Sequence, residues 1–185
     1  MYPMTVLRCS QKLLKRLRQP AAPPEPAPQD NPLGEWCGDI DFIDRQPFVL
    51  LMNAATGLML VLPGHAEFLR RLHECAAQQL DPLLRDCGIN GALAEAELDA
   101  WKQPSTYARN SNRSLVSSMN QRKYEAWVQF AYNRLPAYDV ALRMLETPFS
   151  RKELGKDFHF ALDLVRARLL PTAKILPFRT SDAKH

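Results

Sequence analysis

Phe48-Val49-Leu50-Leu51-Met52-Asn53-Ala54-Ala55-Thr56-Gly57-Leu58-Met59-Leu60-Val61-Leu62 is the stretch whose reading decides the fold. Two unbroken apolar runs flank the pentapeptide Asn53-Ala54-Ala55-Thr56-Gly57, which carries turn residues at both ends. Short apolar runs bounded by turn signals read as strands buried on both faces. Just upstream, Trp36 to Ile43 mixes apolar and acidic residues, and Asp44-Arg45-Gln46-Pro47 supplies a turn into the first apolar run. Pro63-Gly64 closes the second run. Three strands joined by short turns make a β-meander.

Outward from the meander, Thr5-Val6-Leu7-Arg8 reads as a further short strand. Ser10 is placed to cap a helix over residues 11–18, with Leu13, Leu14 and Leu17 on one face and Lys12, Lys15 and Arg16 on the other. Six prolines between Pro20 and Pro32 then block both helix and ladder, which leaves an extended surface loop. Beyond the meander the pattern turns helical. Phe68, Leu69, Leu72, Cys75, Ala76 and Leu80 share one face, Pro82 opens a further turn, and Ala92 to Trp101 is a short helix. Residues 104–109 read as a connector or short strand, and residues 112–135 as a long helix. Pro136 starts another helix, Ser150-Arg151-Lys152-Glu153 has capping-box form, and a last helix runs to about Leu170. Strands early and helices late predict an α+β fold, with a small antiparallel sheet of the N-terminal strand and the meander covered by several helices and a helical C-terminal half. Residues 1–135 are expected to form the core with its proline-rich loop at 20–32. Residues 136–172 are expected to be a helical extension packed on it, and 173–185 a flexible tail.

The chain's 185 residues suffice for one domain with a real hydrophobic core, since about 150 residues bury roughly 70% of their unfolded surface. Its 46% apolar and 24% charged residues are ordinary globular values, so the core requires neither metal nor disulfides. Cys9, Cys37, Cys75 and Cys87 show no metal or redox spacing and read as reduced thiols of a cytoplasmic protein. No stretch reaches the ~20 apolar residues of a membrane span. The net charge of +4 hides a split. Residues 1–20 hold five bases and no acid, 21–100 hold four bases and thirteen acids, and 101–135 hold six bases and one acid. Two readings of that split stand: a basic face for an anionic partner, or acidic and basic segments that neighbour each other in the fold.

Chemistry-bearing motifs are few. His65, His73, His159 and His185 lack metal-helix spacing, so no metal or other cofactor is expected. No Gly-x-Ser-x-Gly elbow, Gly-x-Gly-x-x-Gly turn or Walker loop exists. Two basic, cap-rich clusters remain. Arg8-Cys9-Ser10-Gln11-Lys12 is a strand-to-helix junction, and Arg109-Asn110-Ser111-Asn112-Arg113-Ser114 opens the long helix. Amides and cations at such junctions suit phosphate or carboxylate, and the plainer reading of the same residues is ordinary capping. Asn53, just past a buried strand, reads as a turn residue or as a third member of a cleft. The ligand-binding candidates are therefore Arg8, Ser10, Lys12, Asn53, Asn112, Arg113 and Ser114.

Several of these blocks carry a likeness. Residues 4–17, from Met4-Thr5-Val6-Leu7-Arg8-Cys9-Ser10 into the Lys12-Leu13-Leu14 helix, resemble the opening of an uncharacterised bacterial family, domain of unknown function 6933. Pro32-Leu33-Gly34-Glu35-Trp36, Phe48-Val49-Leu50-Leu51-Met52-Asn53 and residues 112–120 are similar to its later landmarks, in the same order. The resemblance covers about residues 4–135. It implies Met4 as the family-equivalent start and keeps the basic N-terminal segment inside the domain, but it implies no activity. The function expected is a cytoplasmic accessory protein that binds an anionic partner, nucleic acid or a nucleotide. The alternatives are an enzyme, hydrolytic or nucleic-acid-processing, with a pocket around Cys9, Asn53 and Arg113, or a toxin–antitoxin-type module that binds a protein partner.

Overall fold

The computed structural model describes residues 4–170; the expected tail at 173–185 lies outside them. The elements run β1 (Val6–Cys9), α1 (Gln11–Arg16), β2 (Trp36–Ile43), β3 (Gln46–Asn53), β4 (Met59–Pro63), α2 (Ala66–Leu69), α3 (Leu72–Asp86), α4 (Ala92–Trp101), β5 (Thr106–Arg109), α5 (Arg113–Ala131), α6 (Ala137–Leu145) and α7 (Ala161–Leu169). The architecture is α+β, and the meander forms as its sequence dictates. β2 and β3 pair antiparallel from Trp36 opposite Asn53 to Ile43 opposite Gln46, and β3 pairs with β4 the same way.

The sheet as a whole is mixed, which corrects the expectation of an antiparallel one. Its order is β4-β3-β2-β1-β5, and β1 lies parallel to both β2 and β5. The reason is connection length. Parallel neighbours need a crossover of a dozen or more residues. Residues 10–35, through α1 and the proline-rich stretch, provide one between β1 and β2.

Residues Phe48–Asn53 are buried without interruption, although alternate side chains point to opposite faces, so helices cover both sides of the sheet. α3 and α6 lie against β4, and α1 and α5 against β2. α1 sits close because Gly38 of β2 has no side chain: a Cβ there would come 2.8 Å from Leu13 Cδ2. The edge strand β4 is protected by a side chain. The Gln79 amide accepts from Val61 N–H and donates to Val61 C=O, both at 2.7 Å, and so stands in for a neighbouring strand.

Local departures from the expected helices are small. The helix expected to start near Phe68 breaks at Arg70–Arg71 into α2 and α3, and α3 continues through Pro82. The Ser150–Glu153 segment forms no capping box. Arg151 is drawn inward to donate to Ala55 C=O at 3.3 Å, leaving only a 3-10 turn at Lys152–Leu154.

One buried carboxylate ties the proline-rich loop to the core. Glu97 of α4 is fully buried and accepts from Leu33 N at 2.8 Å, Asn31 Nδ2 at 3.0 Å and Trp36 Nε1 at 3.1 Å. Glu97→Ala strands these donors, at about 1–3 kcal/mol for each that stays dry. A loss of about 3 kcal/mol in urea unfolding is expected. Burial, opposed by the hydrogen bonds from Leu33, Asn31 and Trp36, holds the Glu97 carboxyl above its ordinary 4.5. A carboxyl that binds its proton more tightly when folded lends stability below its unfolded pKa and loses it as pH rises through the folded one. Across pH values from 4.5 upward through that raised pKa, wild type is therefore expected to lose stability more steeply than Glu97→Gln in matched unfolding curves.

Candidate functional site

The parallel pairing of β1 assembles a cleft. Cys9, the last residue of β1, lies opposite Arg109, the last of β5, and Asn110 N–H donates to Cys9 C=O at 3.0 Å. On the other side, Cys9 lies opposite Gly38, and Ser10 N–H donates to Gly38 C=O at 2.9 Å. β1 and β5 both stop there while β2 runs on through Asp39–Ile43. The carboxyl ends of parallel strands commonly open onto a crevice, and here one of about 410 Å³ follows. Ser10, Gln11 and Lys12 form one wall, Arg109 and Asn110 the second, and Val116, Asn120 and Lys123 of α5 the third, over Gly38 and Asp39. The two polar clusters, about a hundred residues apart in sequence, thus meet in space.

Asp39 organises the floor. Its Oδ1 accepts from Ser10 Oγ at 2.5 Å and from Ile40 N–H at 2.8 Å, and its Oδ2 accepts from Lys123 Nζ at 2.8 Å. Asp41 stands 3.5 Å from the same ammonium. Burial pulls the Lys123 pKa down, but the hydrogen bond and charge of Asp39, aided by Asp41, outweigh it, so the ammonium is held above its ordinary range. Lys12 and Arg109 are exposed, and no carboxylate of the described residues pairs with either. The cleft therefore presents two cations unpaired among the described residues, Lys12 and Arg109, beside a Lys123 ammonium that Asp39 and Asp41 already engage.

Of the candidates read from sequence, Ser10 and Lys12 line this cleft. Arg8 does not. Its guanidinium grips Glu35 in bidentate fashion, at 2.6 and 2.9 Å, and reaches Glu25 at 2.5 Å, so it clamps the proline-rich loop to the sheet. Hydrogen bonds to Glu35 and then Glu25 raise its pKa further. Cys9 is fully buried, and burial pushes its thiol far above the range in which a thiolate forms. Asn53 is equally dry. It donates to the Leu33 and Glu35 carbonyls and accepts from Thr56 Oγ1 and the amides of Ala55 and Thr56, which builds the turn between β3 and β4. Asn112 caps α5 through the amides of Ser114 and Leu115, with Arg113 exposed beside it and Ser114 holding the Glu153 carboxyl low. Cys9 and Asn53 are buried, and neither they nor Arg113 line the cleft.

Sequence reasoning passed over Asp39, Asn120 and Lys123. An acid between apolar neighbours in a strand, Gly38-Asp39-Ile40, was the available signal, because a carboxylate on a buried strand needs a partner. No such signal marks Lys123, one of three bases on a long helix. Among the described residues no group of three or more His, Cys, Asp or Glu could hold a metal, and no helix is long and apolar enough to cross a membrane.

Comparison with protein families gives one match: the family described as domain of unknown function (DUF6933) covers residues 6–162, past the point near Leu135 where the likeness was legible by eye. No curated protein and no solved structure matches the chain.

If Asp39 is what holds the Lys123 ammonium up, Asp39→Asn leaves burial unopposed except by Asp41. Lysine side-chain NMR titration should then show the Lys123 pKa moved downward, and an unchanged value would remove Asp39 from that role.

Proposed function

The chain belongs to the DUF6933 family, and we propose that it is a cytoplasmic, bacterial binding protein that takes a phosphate-bearing anion, nucleic acid or a nucleotide, in the cleft between β1, β5 and α5. The observation that carries this reading is the convergence of Lys12 and Arg109, unpaired among the described residues, on one hollow whose single acid, Asp39, is already engaged by Lys123 and Ser10. The core expected at residues 1–135 carries the site in this reading, and the extension expected at 136–172 packs on that core through α6 and α7.

The surroundings support it. Beyond Lys12, α1 turns Lys15 and Arg16 outward, followed by Arg18, and the next hollows along it are lined by Lys15 and Arg18 and by Arg16, Arg18 and Arg70 without a carboxylate. A track of cations rather than one isolated pair suits a polyanion, whose many phosphates release counterions together. Arg16 also lies over the exposed Phe42 ring, 5.4 Å from its centroid. The enzyme alternative gains nothing from Cys9 and Asn53, whose polar atoms are buried and taken up. Phe158 and Phe160, exposed just ahead of α7, favour the protein-partner reading, but two side chains fall short of the several hundred Å² such a patch needs.

A fluorescence-anisotropy titration with a labelled oligonucleotide at two salt concentrations tests the reading. Affinity is expected to fall with salt, by about 0.7 in log–log slope for each phosphate neutralised on a single strand. The double substitution Lys12→Ala, Arg109→Ala is expected to reduce that slope by about 1.4 and to weaken binding at least tenfold. Binding indifferent to salt and to both substitutions would count decisively against the cleft.

A further inference from the structure

α5 carries three aromatic rings on its outer surface. Tyr124 is 66% exposed, Trp127 37%, and Tyr132, just past the helix, 73%. The Tyr124 and Trp127 rings stack at 6.2 Å with an interplanar angle of 19°, and Tyr132 meets Trp127 edge-on at 5.9 Å. They form a ready-made platform facing solvent. The other two tryptophans behave differently: Trp36 and Trp101 are fully buried against each other.

The platform continues the cleft. Residues one or two turns apart share a helix face. Trp127 follows Lys123 by one turn and Asn120 by two, and Tyr124 follows Asn120 by one. Asn120 and Lys123 are cleft walls. At 1.5 Å per residue, the Trp127 backbone stands about 6 Å along the helix from that of Lys123.

We infer that Tyr124, Trp127 and Tyr132 receive the unpaired bases of a single-stranded nucleic acid whose phosphates run through the neighbouring cleft. The inference rests on the proposed function and narrows its ligand. A chain that alternates anionic groups with flat apolar rings matches a surface that sets cations beside aromatic faces, and stacking accepts any base. A duplex hides those faces and offers only its phosphates. A second copy of this chain would bring Lys123 and the exposed Arg134 against like charge.

Trp127 is the one exposed tryptophan among the chain's three, so its emission reports stacking directly. The full chain is titrated at low salt with an oligothymidylate, a duplex and heparin. The oligothymidylate is expected to quench tryptophan emission, whereas the duplex and heparin bind without quenching. Trp127→Phe is expected to abolish the quench. Tyr124→Ala with Tyr132→Ala is expected to weaken the oligothymidylate about tenfold and to leave heparin unaffected. Tyr124 and Tyr132 are largely exposed, so the thermal melt of the tyrosine double variant should match wild type. Binding of all three ligands with no quench and no effect of the tyrosine substitutions overturns the stacking platform and leaves the cleft reading intact. Dimerisation that the tyrosine substitutions abolish, without quenching, overturns it in favour of a second copy. Failure to bind any of the three polyanions overturns the platform and the proposed function together.

Discussion

β1 is four residues long, and most of what is distinctive about this molecule depends on its being hydrogen-bonded in parallel on both sides. A meander is stable local structure, built from short turns and apolar runs. A central parallel strand is not local. It needs crossovers on either side, and so it commits the proline-rich stretch to one and the helices from α2 to α4 to the span that precedes β5. The same pairing carries Ser10–Lys12 and Arg109–Asn110 to one edge of the sheet, where β2 continues alone. The cleft is thus a consequence of topology before it is a consequence of side-chain chemistry.

Buried polar groups then decide which residues remain free. Glu97, Asn53 and Arg122 are all dry. Each fixes irregular backbone that no helix or strand could satisfy: the loop at Asn31–Leu33, the β3–β4 turn, and the end of α6, where Arg122 donates to the Met144 and Thr147 carbonyls. Such groups are costly to leave unpaired, so they are committed to structure. Arg8 belongs with them through Glu25 and Glu35. Lys12 and Arg109 do not, and that contrast separates a supporting cation from one available to a ligand.

The meander and the helical second half were legible from sequence because apolar periodicity and turn residues are local signals. The direction of β1 was not. A short strand such as Val6–Cys9 pairs equally well either way, and only the length of the connection hints at the outcome. The site was legible in part. The two cap-rich clusters stood out by composition, and Ser10 and Lys12 do line the cleft, but composition cannot say that Arg8 would turn to Glu35 or that Asn53 would face inward. Lys123 and Asp39 lie 84 positions apart, and nothing short of the fold pairs them. The sequence likeness stopped near Leu135, whereas the family spans residues 6–162, because α6 carries an ordinary amphipathic pattern and no short landmark of its own.

The central claim is that the edge formed by β1, β5 and α5 faces a phosphate chain. Amide chemical-shift mapping of the folded protein with a short oligonucleotide tests it most directly. The account predicts perturbations concentrated at Ser10–Lys12, Arg109–Asn110 and Asn120–Lys123, diminishing as salt is added. Perturbations confined to α7, the proline-rich loop or the β3–β4 turn, with these three segments silent, would contradict it.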